Sequence, residues 1–179
     1  PTSRDRCTAA DPLYAVERLR FINQLALIRH KGLKPRSVRD LLNAPPAELD
    51  QPQVAITFDD GHESNFAAFG EILRMGGSAD FFINPSSVGT QGHLSWAQLR
   101  EMDRQGASIQ SHGMHHLSLD ELPAAQVDAE LADSRKHIED ELGRPVVLFA
   151  PPYGRMAPGL GLRARELGYR ALCTSRVAL

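Results

Sequence analysis

The stretch VAITFDDG at residues 54–61 decides how this sequence is interpreted. Its apolar and β-branched residues are typical of a strand, and the run ends in two adjacent carboxylates, Asp59 and Asp60. Successive side chains of an extended chain point in opposite directions, so we expect the two aspartates to do different jobs. One can bind a cation while the other faces a reacting group, and Gly61 permits the turn that exposes both.

Around this stretch, the chain alternates between strand patterns and helix patterns. Apolar runs predict strands at 54–58, 79–84, 107–111, 146–150 and 169–174. Helical spacing predicts helices at 65–75, 95–106, 123–143 and 158–168. Strands that are apolar on both faces and joined by helices predict an α/β fold with a parallel sheet. The pattern alone fits both an open doubly wound sheet and a β/α barrel.

The residues before this region have a different character. An amphipathic helix is predicted at 13–32, a short helix at 37–42 with Ser37 as its N-cap, and a proline-interrupted loop at 43–53. No repeat or linker divides the chain. We therefore predict one domain over 1–179, with a helical lead-in at 1–53 and a β/α core at 54–179.

The composition excludes several classes of partner. The chain has 179 residues, 42% of them hydrophobic, and a net charge of −2 without a block of like charges. A nucleic acid or an anionic membrane surface is therefore not a predicted partner. The apolar runs are far shorter than the roughly 20 residues that cross a bilayer, so no transmembrane segment is predicted. The chain begins at Pro1 without a signal-peptide pattern, and we expect it to be part of a longer product.

Three polar clusters follow three of the predicted strands. They lie at 59–61, 111–116 and 150–154, the last with the sequence Ala-Pro-Pro-Tyr-Gly. The carboxyl ends of parallel strands meet on one face, which carries the active site in β/α barrels and the ligand site in open sheets. Each cluster alone is more often an ordinary turn or a surface pair, but their convergence on one face favours a site.

The second cluster has the spacing of a metal site. His112 and His116 are four residues apart, and a helical turn there would place both imidazoles on one side. Two neutral imidazoles and a carboxylate form a common catalytic zinc shell that leaves a position for water. Three of the seven histidines fall within 112–116, which also favours a metal. His115 would point elsewhere, and we expect it either to support the metal ligands or to contact substrate.

Together the three clusters resemble the signatures of the polysaccharide deacetylases, also called carbohydrate esterase family 4 or the NodB homology domain. Thr-Phe-Asp-Asp-Gly at 57–61 matches the first signature, His112 and His116 match the second, and Pro-Pro-Tyr-Gly at 151–154 matches most of the third. Their order and spacing also agree. The resemblance implies a distorted β/α barrel with fewer than eight strands.

The resemblance also implies a chemistry for each residue. A divalent ion, usually zinc, would be held by Asp60, His112 and His116. Asp59 would be the general base, and a backbone N–H at Tyr153 would stabilise the oxyanion. The implied activity is hydrolysis of N-acetyl or O-acetyl groups on a polysaccharide, an exopolysaccharide for example. Such a substrate implies a location outside the cytoplasm, either secreted or in the cell envelope.

The sequence departs from the family pattern in ways that leave alternatives open. Ala150 stands where the family usually has an arginine that orients the base aspartate. No histidine follows His137, so the family's general-acid histidine is expected beyond Leu179 or is absent, and the barrel is expected to be incomplete at the C-terminus. Two alternatives to a deacetylase therefore remain: a catalytically impaired carbohydrate-binding relative, and an amidohydrolase acting on a small C–N substrate.

Overall fold

The computed structural model describes residues 15–175, which form short strands connected by helices. The helices of this part of the chain are α1 (Arg18–His30), α2 (Val38–Leu42), α3 (Pro46–Leu49), α4 (Ser64–Arg74), α5 (Trp96–Arg104), α6 (Ala124–Leu142) and α7 (Leu160–Glu166). The strands are β1 (Pro35–Arg36), β2 (Val54–Ala55), β3 (Thr57–Phe58), β4 (Asp80–Ile83), β5 (Ser108–Ser111), β6 (Leu148–Phe149) and β7 (Ala171–Leu172). Single 3₁₀ turns lie at Pro85–Ser87, Leu119–Glu121 and Pro152–Gly154.

The strands form a five-stranded sheet and a separate pair. The sheet follows chain order, β3-β4-β5-β6-β7, and β1 pairs with β2 in parallel. Within the sheet, β6 runs parallel to both β5 and β7. This confirms the predicted α/β class with a parallel sheet of fewer than eight strands. Whether the sheet is incomplete at the C-terminus, and whether the boundaries 1–53 and 54–179 are correct, remain predictions.

One predicted strand is wrong in detail. The run 54–58 divides into β2 and β3, which belong to different sheets. Ile56 is the point of transfer: its N–H donates to Arg36 O at 3.2 Å, and its C=O accepts from Asp80 N at 3.1 Å. The residue that a pattern would place inside one strand thus bonds to two partners in different sheets.

The N-terminal helices also differ from expectation. The loop predicted at 43–53 contains α3, which begins at Pro46, where the fixed φ of proline suits a first helical turn. The predicted helix at 13–32 extends in part outside the described residues, and α1 is shorter. Leu25 is buried, but Leu19 and Leu27 are 74% and 58% exposed, so α1 buries only part of its apolar side chains.

Several predicted helix ends are confirmed. Ser37 accepts from Asp40 N at the start of α2, and Ser95 forms a capping box with Gln98 at the start of α5. Gly143 ends α6 in the left-handed conformation, with φ 63°. No helix within residues 15–175 is long and apolar enough to span a bilayer.

The chain forms two compact units. Among residues 15–175, the first contains 15–58, His62–Asp80 and Gly89–Ser108; the second contains Asp59–Gly61, Phe81–Val88 and 109–175. The core of the first includes Phe69, Ile72, Leu94, Leu99 and Met102. The core of the second includes Phe81, Ile83, Leu131, Ile138, Leu148 and Phe149. All three polar clusters of the sequence lie in the second unit.

Candidate active site

The carboxylate of Asp60 and two imidazoles meet at one point of the second unit. Asp60 Oδ1 lies 3.0 Å from His116 Nε2 and 3.4 Å from His112 Nε2. The three potential ligand atoms all lie within 4.8 Å of one another. Donors about 2.0–2.2 Å from a tetrahedral Zn²⁺ would be separated by about 3.3–3.6 Å, so these side chains suit one small cation. The structure therefore brings together the three residues that the resemblance assigned to a metal.

His112 is held in the tautomer that a metal ligand needs. Its side chain is 3% exposed, and its Nδ1 lies 2.8 Å from the carbonyl oxygen of Ala150. A carbonyl oxygen only accepts, so Nδ1 carries the proton and the lone pair of the neutral ring lies on Nε2. The main chain of residue 150 thus orients the His112 ring, although its side chain is only a methyl group.

Asp60 is ionised under ordinary conditions. The adjacent imidazoles of His112 and then of His116 hold the pKa of this carboxyl well below its usual range. A carboxylate must be deprotonated to bind a cation, so the site keeps this ligand ready over the whole neutral range. Its side chain is 57% exposed, so the site opens to solvent on this side.

Backbone strain is concentrated at the same place. Within residues 15–175, the non-glycine residues with positive φ are Asp60 (69°), His116 (56°) and Tyr153 (59°). Each belongs to a different one of the three clusters. Such conformations typically cost about 1–3 kcal/mol and persist where the surroundings enforce them, often at functional sites. This clustering is an indication of a site that is independent of the motif match.

The segment 112–116 does not form the helical turn that would place both imidazoles on one side. The segment is an irregular loop in which Gly113 has φ 83° and His116 has φ 56°. Its backbone groups bond to side chains outside the loop, chiefly Asn84 and Glu130, instead of to carbonyls four residues earlier. The two imidazoles still face the same carboxylate, but the bends of the loop bring them there.

Asp59 adjoins the triad and has a different environment. Its residue surface is partly open to solvent, yet the surrounding protein excludes water from its carboxyl, and this raises the pKa of the carboxyl. The nearby negative charge of Asp60 raises it further. The neighbouring His112 and His116 oppose the shift. The two adjacent aspartates therefore have pKa values displaced in opposite directions, which fits the expectation that they do different jobs.

The third cluster supplies an aromatic wall. Pro151 and Pro152 are buried, whereas the Tyr153 side chain is 65% exposed. The Tyr153 ring packs edge-on against His116, with the ring centroids 4.7 Å apart. The ring thus borders the triad, and the stiff proline pair fixes its position.

Sequence reasoning missed the residues that hold the loop at 112–116 and the strand end at Ser111 that precedes it. Glu130 and Ser134 lie on α6 at positions four apart, and both are buried, as are Val127, Leu131 and Ile138 of the same helix face. The missed signal was an acidic residue at a core-facing position of an amphipathic helix, which is uncommon unless the carboxylate has partners. Asn84, which follows β4, carried no comparable signal in the sequence.

Comparison with known proteins identifies the family of this chain. The profile of the polysaccharide deacetylase family matches residues 47–172, so the chain belongs to this family. The chain is 34% identical to YxkH of Bacillus subtilis over 118 residues, which are 65% of this chain and 42% of that protein. It is 28% identical to the peptidoglycan-N-acetylglucosamine deacetylase PgdA of Listeria monocytogenes over 127 residues, 70% of this chain and 26% of PgdA. The chain thus spans less than half the length of these curated relatives.

A solved structure shows the same fold. The structure of IcaB from Ammonifex degensii superposes with a TM-score of 0.82 at 25% identity, covering 96% of this chain and 81% of that one. The likeness agrees with the distorted β/α barrel that the resemblance implied, which confirms the predicted family and fold class.

Proposed function

We propose that this chain is the catalytic part of a metal-dependent hydrolase that removes acetyl groups from a polysaccharide. The observation that carries the proposal is the convergence of Asp60, His112 and His116 within 4.8 Å of one another. The family, and the activity of PgdA as a peptidoglycan-N-acetylglucosamine deacetylase, favour N-acetylglucosamine residues as the acetylated sugar. A polymer of this kind would place the protein outside the cytoplasm.

The donor set fits a divalent cation of borderline softness, with Zn²⁺ as the first candidate and Co²⁺ or Ni²⁺ as alternatives. Asp60 and the Nε2 atoms of His112 and His116 would hold it. When bound, such an ion supplies Lewis acidity to the acetyl carbonyl and lowers the pKa of water.

The residues of the chain would then complete the reaction. Asp59 removes the proton from the attacking water, as a carboxylate within reach of the reacting group can. The Tyr153 backbone N–H donates to the carbonyl oxygen as negative charge develops on it, and the two prolines before it keep this donor fixed. The water oxygen bonds to the carbonyl carbon, the C–N bond of the acetamide breaks, the amine takes the proton that Asp59 removed, and acetate is released.

A second candidate function follows from Ala150. Its methyl side chain offers no charge to orient Asp59, and the residue is only 4% exposed. If Asp59 is held too loosely to act as a base, the site would bind the cation and an acetylated sugar without turnover. The chain would then be a carbohydrate-binding relative of the deacetylases.

Acetate release decides between these functions. The purified chain is incubated with N-acetylglucosamine oligomers, acetylated xylan oligosaccharides and small N-acetyl amides, each with and without a chelator. We expect acetate from the N-acetylglucosamine oligomers, loss of activity with chelator, and recovery on addition of Zn²⁺. Binding of oligosaccharide without acetate release would favour the carbohydrate-binding function, and release from the small amides alone would favour a small-substrate amidohydrolase.

A further inference from the structure

We propose that Glu130 is a positioning residue that sets the conformation of the histidine loop, defined as residues 112–116, and thereby the placing of both imidazoles. The inference rests on the proposed function only in assigning a metal to His112 and His116. The effect of Glu130 on the loop itself is independent of that assignment. Among the hydrogen bonds of residues 15–175, none joins Glu130 to the Asp60 carboxylate or to the imidazole of His112 or His116.

The Glu130 carboxylate is buried beneath the loop and accepts three hydrogen bonds from it. The residue is 5% exposed. Its Oε2 accepts from the backbone N–H of Met114 at 2.8 Å and of His115 at 2.9 Å. Its Oε1 lies 2.6 Å from His115 Nδ1. A charged acceptor that receives two adjacent N–H groups fixes the direction of the 113–114 and 114–115 peptide planes, one residue before His116.

Asn84 holds the opposite polar groups of the same loop. It is 2% exposed, and its Nδ2 donates to the carbonyls of His112 at 2.6 Å and Gly113 at 3.2 Å. The N–H of Ser86 donates to the carbonyl of Met114 at 3.2 Å. Carbonyls on one side and N–H groups on the other therefore have partners from separate elements, and the loop is held between β4 and α6.

This arrangement explains why the loop is not a helical turn. In a helical turn over 112–116 the carbonyl of His112 would accept from the N–H of His116, but here that carbonyl accepts from Asn84 Nδ2, while the buried carboxylate holds the N–H groups of Met114 and His115. The left-handed Gly113 permits the close approach, because a Cβ at that position would lie 3.1 Å from Glu130 Oε2. His116, with its strained positive φ, follows directly after the two anchored N–H groups.

The test compares Glu130→Ala with Glu130→Gln. Alanine removes every acceptor, whereas the isosteric glutamine can keep its oxygen at the Oε2 position and accept both backbone N–H groups. We expect Glu130→Ala to lower Zn²⁺ affinity by about 10–100-fold, the usual effect of losing a partner that orients ligands. Glu130→Gln should retain most of the affinity. The d–d absorption spectrum of bound Co²⁺ should change in the alanine variant and not in the glutamine variant.

A matched control lies on the same helix. The Glu139 carboxylate also accepts a backbone N–H, that of Val146 at 2.9 Å, but not from the histidine loop. Glu139→Ala should lower stability without changing Zn²⁺ affinity or the Co²⁺ spectrum. A loss of affinity in Glu139→Ala equal to that in Glu130→Ala would overturn the positioning role, because it would show that any weakening of α6 disturbs the site.

Hydrogen–deuterium exchange of the metal-free protein separates this inference from the proposed function. The amides of Met114 and His115 should exchange slowly in the wild type and in Glu130→Gln, and faster in Glu130→Ala. Equal protection in all three proteins would overturn the inference, whether or not metal binds. Protection that follows the prediction in a protein that binds no metal would leave Glu130 as the organiser of the loop and would refute the metal site instead. If Glu130→Ala does not fold, Glu130→Asp, whose carboxylate is one methylene further from the loop, takes its place in the comparison.

Discussion

At the residue scale, the candidate site depends on residues whose backbone conformations are intrinsically unfavourable. Asp60, His116 and Tyr153 have positive φ, and Asp and His are among the side chains that tolerate this region best. The strained backbone turns Asp60 away from the strand direction and toward both imidazoles. The types and spacing of Asp60, His112 and His116 predicted them as ligands, but the sequence gave no sign that their arrangement depends on left-handed residues.

Asp59→Asn tests whether Asp59 acts as the base while the adjacent Asp60 acts as a metal ligand. The amide keeps the size of the side chain but cannot take a proton from water, so we expect acetate release to fall by about 10²–10⁴-fold. Because Asp60 remains, Zn²⁺ content measured on the purified variant should equal that of the wild type. Undiminished activity would remove Asp59 as the base, and loss of the metal would show that both aspartates serve as ligands.

Tyr169 provides a pH-dependent test of the second unit's core. Its hydroxyl donates to Leu131 O at 2.8 Å, and burial raises the pKa of the phenol to about 12, from about 10 in an unfolded chain. Between these values the unfolded chain loses the proton and the folded protein keeps it, so the free energy of unfolding falls as the pH rises. The full effect is about 3 kcal/mol. Urea unfolding at several pH values should show this fall in the wild type and not in Tyr169→Phe, and parallel curves would contradict it.

At the element scale, the sequence predicted what periodicity and capping control. The helices from α4 onward lie within one or two residues of their predicted bounds, because their apolar spacing and their capping residues agree. The split at Ile56 was not predictable, since it depends on hydrogen bonds to Arg36 and Asp80, which are distant in sequence. The histidine loop was misjudged for the same reason: its partners Asn84 and Glu130 come from other elements.

Ser95 gives a direct test of one capping prediction. Its Oγ accepts from Gln98 N at 3.3 Å, and its N–H donates to Gln98 Oε1 at 2.9 Å, so both partners satisfy groups at the start of α5. Ser95→Ala should lower the free energy of unfolding by about 1 kcal/mol, measured by urea unfolding. Ser95→Thr keeps a hydroxyl and should lose much less. Equal losses would show that the cap contributes through packing instead of through its hydrogen bond.

At the scale of the whole molecule, the proposed site should couple metal binding to stability. A ligand that binds only the folded protein raises the free energy of unfolding by about 2.7 kcal/mol at 100 times its Kd. For a chain of 150–250 residues each kcal/mol shifts Tm by about 2–4 °C, so saturating Zn²⁺ should raise Tm by about 5–11 °C. A chelator should reverse the shift.

Two histidine variants make this last prediction specific. His116→Ala removes one proposed ligand and should abolish the Tm shift while leaving the metal-free protein folded, because the His116 side chain is only partly buried. His30→Ala removes an exposed histidine at the end of α1 and should leave the shift intact. A Zn²⁺-dependent rise in Tm that survives in His116→Ala but not in His30→Ala would place the stabilising ion elsewhere on the chain. A rise that needs only the triad would make Asp60, His112 and His116 the link between the chemistry of the site and the stability of the fold.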